Sequence, residues 1–353
     1  LQWIGMLCLC LPAWAQFRVE VTGVGLTQVP IAVASFRGDD SAPQKIGAIV
    51  QADLERSGQF RPIDVAGAVL DENARPDMSG WRQKNADALV TGSITKLADG
   101  RFDVRVRLWD VVRGQELGGQ SYAVTPADVR LAAHRVADFV YEKLTGEKGV
   151  FSTRLAYVSK SPGRFQLIVS DSDGANSVAV VNSTEPIISP AWSPDGGRLA
   201  YVSFEGRKPS VYVQNVANGE RALLVRASGN QSAPAWSPDG GRIVFASSQA
   251  GGTQLFLANA DGSNLRRLTN SGAIDTAPNW APDGRIYFMS DRGGTPQIYR
   301  MSPDGGNAER VTFEGSYNAN PRVAADGKSM VFVRRDGGRE MLAVQDFASR
   351  QVQ

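Results

Sequence analysis

The sequence predicts an α/β N-terminal domain followed by an all-β propeller. Two observations carry this prediction: a repeated segment fills the second part of the chain, and a non-repeating mixture of helix and strand patterns fills the first part. The length of 353 residues suits about two domains that each bury a core of their own. Apolar residues make up 42% of the chain and charged residues 21%, which is typical of a globular protein.

The repeat is a Pro-x-Trp-Ser-Pro-Asp-Gly segment followed by a short apolar run. Its copies begin at Pro190, Pro234, Pro278 and, in a weaker form, Pro321, so they are 44, 44 and 43 residues apart. The Asp-Gly pair predicts a hairpin turn, because glycine accepts the positive φ that such turns require. A further strand pair follows in each unit, and four strands in about 40–45 residues is the period of a β-propeller blade.

The phase of the repeat indicates how the propeller begins. A partial copy at Leu155 lies 44 residues before Leu199, but no Pro-x-Trp segment precedes it. The first blade therefore opens with its second strand, and residues 149–353 hold about four and a half blades. Because a closed ring needs the remainder, we expect the chain to be truncated at its C-terminus.

The first fifteen residues have the pattern of a secretory signal peptide. They are apolar except for Gln2 and end in the small-x-small motif Ala13-Trp14-Ala15, which predicts a mature chain from Gln16. Both cysteines, Cys8 and Cys10, lie in this segment, so the mature chain offers no disulfide and no thiol nucleophile. Each follows a leucine rather than a small residue, which argues against lipidation. We expect an exported, soluble protein without direct membrane insertion.

Residues 16–148 have the mixed pattern of an α/β domain. Helices are indicated by apolar residues that recur on one face, and strands by alternating or continuous apolar runs. The predicted elements are strands at 17–21, 31–36 and 88–94, a hairpin of 102–109 with 119–124, and helices at 44–57 and 126–144.

Composition excludes several classes of function. The 38 basic and 36 acidic residues nearly cancel, so we expect no nucleic acid as partner. A single histidine, His134, cannot build a multi-histidine metal site. There is no Gly-x-Ser-x-Gly and no Walker A motif. We therefore predict a non-enzymatic protein, with an exported propeller hydrolase (peptidase-like or lactonase-like) and a generic periplasmic scaffold as alternatives.

The junction between the two regions, residues 142–158, resembles the segment that enters the propeller in the TolB family. Residues 31–36, 49–60 and 313–316 resemble that family as well, and the likeness covers residues 16–353. The resemblance implies a periplasmic member of the Tol–Pal system with six blades in the complete chain. It implies docking of the lipoprotein Pal on the propeller and of TolA through the N-terminal strand. It further implies a role in outer-membrane integrity and cell division, protein import through colicins or phage proteins, and a monomer.

The loops that enter the innermost strands are expected to surround one mouth of the propeller channel. They carry small and polar residues, which suit hydrogen bonds to the backbone of a partner, and the resemblance assigns the Pal-binding face to this mouth. Ordinary turn formation is the other interpretation of the same residues. The predicted Pal-binding residues are Ser189, Asn230, Gln231, Ser232, Asp275, Thr276 and Asn318.

The strand that follows the predicted cleavage site is the candidate TolA-binding segment. It pairs with TolA, folds back against its own protein, or does each at different times. The residues assigned to it are Gln16, Phe17, Arg18, Val19 and Glu20.

Two residue series recur in the repeat, and we assign both to structure. Trp192, Trp236 and Trp280 stand at one blade position, which favours packing between blades over a platform for glycans. Aspartates recur in separate Asp-Gly turns, so they cannot converge on one ion. We predict no metal site and no cofactor, although the resemblance leaves room for a weakly bound calcium ion in the channel. The aspartates are Asp195, Asp239, Asp283, Asp304 and Asp326.

Overall fold

The computed structural model describes residues 28–353, which form two compact units that divide after Ser152. The predicted signal peptide at 1–15 and the candidate strand at 16–20 lie outside the described residues. None of the helices found in residues 28–353 is long and apolar enough to cross a membrane.

The first unit is an α/β domain built on one five-stranded sheet. The sheet order is β3-β1-β5-β6-β7, with β1 parallel to β3 and β5, and with β6 antiparallel to its neighbours β5 and β7. A separate parallel pair joins β2 to β4. In chain order the elements are β1 (Val29–Val33), β2 (Ser35–Phe36), α1 (Ile46–Arg56), β3 (Phe60–Pro62), β4 (Val69–Leu70), α2 (Met78–Gln83), β5 (Ala88–Lys96), β6 (Phe102–Asp110), β7 (Gln115–Val124) and α3 (Val129–Thr145).

The core of this unit lies between the sheet and the two longer helices. Side chains of α1 and α3 pack with inward-facing residues of β1, β5 and β6 in a single apolar cluster. Helix α3 follows a 3-10 turn at Pro126–Asp128 and ends at Gly146, whose φ of 78° provides the left-handed C-terminal cap. These elements confirm the predicted helices and the predicted hairpin.

The second unit consists of five antiparallel sheets, which confirms the propeller. The first and fifth sheets have three strands each and the other three sheets have four. The first sheet contains β8 (Arg154–Ser161), β9 (Arg164–Asp171) and β10 (Val178–Ser183), and the second contains β11 (Ile187–Trp192), β12 (Arg198–Ser203), β13 (Ser210–Asn215) and β14 (Arg221–Leu223). The third sheet contains β15 (Gln231–Trp236), β16 (Arg242–Ser247), β17 (Gln254–Asn259) and β18 (Arg266–Arg267), and the fourth contains β19 (Asp275–Trp280), β20 (Ile286–Ser290), β21 (Gln297–Met301) and β22 (Glu309–Arg310). The fifth sheet contains β23 (Asn318–Val323), β24 (Ser329–Asp336) and β25 (Arg339–Asp346).

The pairing register shows that the first strand of the first sheet corresponds to the second strand of the other sheets, as predicted. Strand β8 pairs with β9 in the way that β12 pairs with β13, and no strand precedes it in its sheet. In the fifth sheet, a bridge from Gln345 to Val352 marks the start of a fourth strand. First strands of neighbouring sheets lie side by side, so they are the innermost strands of the propeller.

Candidate functional site

The seven predicted Pal-binding residues, here called the rim, lie where the innermost strands begin. Strands β11, β15, β19 and β23 start at Ile187, Gln231, Asp275 and Asn318, which are equivalent positions in four successive sheets. Because these strands are neighbours and run in the same sense, their first residues meet at one end of the channel. The structure therefore brings the predicted residues of the four loops to one edge.

Three rim side chains are buried and connect loops to neighbouring strands. Gln231 accepts a hydrogen bond from the N–H of Val211 (2.8 Å) in the preceding sheet and donates one to the carbonyl of Val225 (3.1 Å) in the loop after that sheet. Asn318 donates to Gln297 Oε1 (2.8 Å), also in the preceding sheet, and to the Glu314 carbonyl. These contacts hold successive sheets together at the rim.

Asp275 is the third buried member, and its side chain is fully enclosed. Its carboxylate accepts hydrogen bonds from the Ser271 hydroxyl at 2.7 Å and from the Arg292 guanidinium at 2.9 Å. The Arg292 side chain is only one quarter exposed. The pair therefore fixes the loop before β19 to the loop after β20, and the Asp275 side chain does not face solvent.

The other four rim residues reach solvent. Ser189 and Asn230 are exposed, while Ser232 and Thr276 are half-buried. These four side chains are small and uncharged, as the sequence predicted for the mouth of the channel. Only four of the seven predicted residues are therefore accessible to a partner.

Each innermost strand contains a β-bulge two residues after its start. The residues at the bulges, Ser189, Ala233, Ala277 and Asn320, have φ values of 54°, 47°, 50° and 53° and directly precede the repeat prolines. A left-handed conformation at a residue other than glycine costs about 1–3 kcal/mol. Four equivalent copies of such strain at one mouth indicate a backbone arrangement that the surrounding sheets impose.

Sequence reasoning missed Ala233, Ala277 and Asn320 as rim residues. The one available signal was the position before a recurring proline, but that position normally favours extended backbone rather than the left-handed region. Because proline lacks an N–H, the strand pairing is interrupted there.

The recurring tryptophans pack between sheets. The guanidinium carbon of an arginine in the preceding sheet lies 4.7 Å from the ring centroid of Trp192, 4.6 Å from Trp236 and 4.9 Å from Trp280. Trp236 and Trp280 are buried, and Trp236 Nε1 donates to the Ala191 carbonyl at 3.1 Å. This packing agrees with the structural assignment of the series.

The turn aspartates bond within their own turns. Hydrogen bonds from the Ser193 hydroxyl and the Gly197 N–H lower the pKa of the Asp195 carboxyl, and Asp239 has the same arrangement. Such carboxylates remain charged down to acidic pH and stabilise the hairpins. The prediction of a weakly bound channel calcium ion stays a prediction.

The single histidine belongs to the core of the first unit. His134 Nδ1 lies 2.6 Å from Asp53 Oδ2, and both side chains are buried between α1 and α3. The Asp53 carboxylate also accepts from Arg56 at 2.9 Å. This arrangement joins two helices below the surface and offers no exposed acid–base group.

Comparison with known proteins gives one consistent family. The model of the TolB amino-terminal domain matches residues 17–117, and that of the TolB beta propeller domain matches residues 141–353. The Tol-Pal system protein TolB of Albidiferax ferrireducens is 69% identical over 198 residues, which are 55% of this chain and 47% of that protein. The corresponding protein of Polaromonas sp. (strain JS666) is 71% identical over 187 residues, or 53% of this chain and 44% of its own length.

A solved structure extends the likeness to most of the chain. The crystal structure of TolB from Acinetobacter baumannii superposes with a TM-score of 0.83 at 36% sequence identity, covering 92% of this chain and 82% of that one. The chain nevertheless spans about half the length of the curated relatives it matches.

Proposed function

The chain belongs to the TolB family, and from that premise we propose that it is a periplasmic, non-enzymatic docking component of the Tol–Pal system. In this proposal the rim binds Pal, and the N-terminal segment Gln16–Glu20 binds TolA. The protein would thereby support outer-membrane integrity and cell division, and colicins or phage proteins would use the same surfaces.

The observation that carries the Pal proposal is the row of four equivalent bulges beside the rim residues. Ser189, Asn230, Ser232 and Thr276 offer small polar side chains beside interrupted strand pairing. The buried Gln231, Asp275 and Asn318 hold these loops in place rather than touching the partner. A surface whose backbone groups are fixed in advance loses little conformational entropy on binding, which favours recognition of another protein.

The Pal proposal is tested by calorimetry of the purified chain with the periplasmic domain of Pal. Thr276→Arg and Ser189→Arg place a long cation on the rim, and a central clash of this kind should weaken binding at least about tenfold. Ala325→Arg is the matched control, because Ala325 is exposed in the hairpin turn at the other end of the fifth sheet. No detectable Pal binding, or equal effects of all three variants, would contradict the proposal and reopen the generic scaffold.

The TolA proposal is tested with a deletion of Gln16–Glu20. This variant should lose affinity for TolA while its affinity for Pal remains unchanged, because the rim lies wholly in the propeller. Loss of both affinities together with a lower unfolding temperature would indicate general destabilisation instead. Retention of TolA binding would remove the segment from the proposal.

A further inference from the structure

A cavity of about 660 Å³ lies between the fourth and fifth sheets of the propeller. We call it the interblade cavity. Its polar lining includes Arg300, Arg310, Arg334, Arg350 and Gln345. The aromatic side chains Tyr287, Phe313, Phe332 and Phe347 also line it. The repeat allows a direct comparison with the equivalent sheet-to-sheet interfaces.

One third-strand position shows how this interface differs from the others. It is Val213 in the second sheet and Leu257 in the third, and both pack in apolar clusters against the next sheet. In the fourth sheet the same position is Arg300. A guanidinium therefore stands where the other interfaces place a branched aliphatic side chain.

The facing position in the following sheet changes in the same way. It is Ala258 in the third sheet and Met301 in the fourth, each part of an apolar cluster. In the fifth sheet it is Gln345, which is 7% exposed and whose Oε1 is buried with no hydrogen-bond partner among the described residues. Leaving such an acceptor unpaired is costly, so this oxygen requires a donor that residues 28–353 do not provide.

The second sheet provides a control for this glutamine. Gln214 occupies the equivalent position and is 2% exposed. Its Oε1 accepts from the Tyr201 hydroxyl at 3.2 Å, and its Nε2 donates to the Val180 carbonyl at 2.9 Å. A glutamine at this position can therefore be satisfied by protein groups alone, which Gln345 is not.

The charge of the lining favours an anion. Four arginines and two carboxylates, Asp283 and Glu314, line the cavity. Arg300 also pairs with Glu309 at 3.0 Å, and Arg334 lies 3.7 Å from Glu314, which is 73% exposed. In the described chain no acidic side chain pairs with Arg350. Arginine guanidinium groups bind carboxylates with paired N–H donors.

We propose that the interblade cavity binds a small carboxylate ligand that also bears a hydroxyl or N–H donor, with sugar acids as the fitting class. The carboxylate would bind the arginines, and the donor would satisfy Gln345 Oε1. The exposed ring of Phe313, which lies 5.3 Å from the Arg310 guanidinium carbon, offers an apolar face for the carbon skeleton. A volume of this size lies within the range of small-molecule sites. A short peptide with a free C-terminus carries the same two groups.

The test is calorimetric titration of the purified chain with glucuronate, glucose, acetate and N-acetylalanine. Glucuronate should bind at one site, more tightly than glucose, which lacks the carboxylate, and than acetate, which lacks the donor. Tighter binding of N-acetylalanine than of glucuronate would assign the ligand to peptides rather than sugar acids. Failure of both glucuronate and N-acetylalanine to bind would overturn the proposal, since the cavity would then hold only water.

Two variants give the interblade cavity the apolar residues of the interface between the third and fourth sheets. Gln345→Met and Arg300→Leu introduce the residues that the equivalent interface already carries as Met301 and Leu257, so both should fold. Each should weaken ligand binding at least about tenfold, because each removes a hydrogen-bonding group from the site. Arg339→Gln is the control, since Arg339 is exposed on β25 and does not line the cavity. Equal affinities of the wild type and both cavity variants, or an equal loss in the control, would refute the assignment.

Discussion

Replacing Asp275 by alanine separates the two roles that a rim residue can have. The carboxylate is fully buried and accepts hydrogen bonds from Ser271 and from the charged Arg292. If its role is to hold the loops, Asp275→Ala should destabilise the fourth sheet. If its role is to contact Pal, the variant should lose affinity with little change in stability.

The magnitude follows from what the removal leaves behind. Two hydrogen bonds to a buried charged group are lost, each worth about 1.5–3 kcal/mol. Arg292 keeps its bond to the Ser290 hydroxyl at 2.9 Å, lies over the rings of Phe288 and Tyr299, and is one quarter exposed. Because the guanidinium can reach water, the full cost of a stranded buried charge is not added, and we expect a loss at the lower end of that sum, about 3–4 kcal/mol.

Hydrogen exchange read by mass spectrometry is the suitable assay. The two compact units can unfold in separate transitions, whereas exchange of the β19 and β20 amides reports the opening free energy of this sheet alone. Asp283→Ala is the matched control, because Asp283 is exposed in a turn of the same sheet and accepts one hydrogen bond, from the Arg285 N–H. A loss below about 1 kcal/mol for Asp275→Ala, no larger than in the control, would refute the loop-holding role.

Three further predictions use differences within the repeat and the first unit. Trp236→Phe should lower the free energy of unfolding of the propeller, measured by urea denaturation, by about 1 kcal/mol more than Trp192→Phe, because the Trp236 indole N–H has a carbonyl partner whereas the buried Trp192 N–H has no partner among the described residues. The lowered pKa of Asp239 adds stability that is complete above the ordinary carboxyl pKa of 3.8 and is lost below it, so unfolding temperature should fall only below about pH 4, and less steeply in Asp239→Asn. Gly92→Ala should cost about 3 kcal/mol or more by hydrogen exchange of β5, because the added methyl group would collide with the Phe36 ring.

The elements that could be predicted are those whose signal is local. Asp-Gly turns mark the hairpin between the first and second strands of each repeat copy, and the structure has these hairpins in the predicted places. Both ends of helix α3 could be predicted, because proline is favoured in a first turn, as at Pro126, and glycine in a left-handed C-terminal cap, as at Gly146. Each of these signals depends on residues that are close in sequence.

The elements that were missed depend on distant partners. Strand β3 has only three residues, of which one is Arg61 and another Pro62, and it forms because β1 lies parallel to it. Strand β4 has two residues and pairs only with β2. No periodicity can develop over such lengths, so their existence follows from the assembled sheet rather than from the local sequence.

The burial of three rim side chains also could not be predicted from the local sequence. A polar residue at the start of a strand suggests exposure, but the partners of Gln231 lie about 20 residues earlier on Val211 and six residues earlier on Val225. The next residues in β15 and β19, Ser232 and Thr276, are half-buried and precede the bulges. Only the packing of one sheet on the next shows which polar residues remain accessible.

A repeated fold contains its own controls, which helps to separate architecture from function. The tryptophan and the Asp-Gly turn recur because every sheet meets the same packing requirement. Arg300 and Gln345 break that requirement at one interface, although Leu257 and Met301 show that the backbone geometry accepts apolar residues there. An unpaired buried acceptor costs about 1–3 kcal/mol, which methionine would avoid. Arg300 pairs with Glu309 at 3.0 Å, so the uncompensated cost at this interface lies at Gln345. A bound ligand that donates to Gln345 Oε1 would account for that replacement.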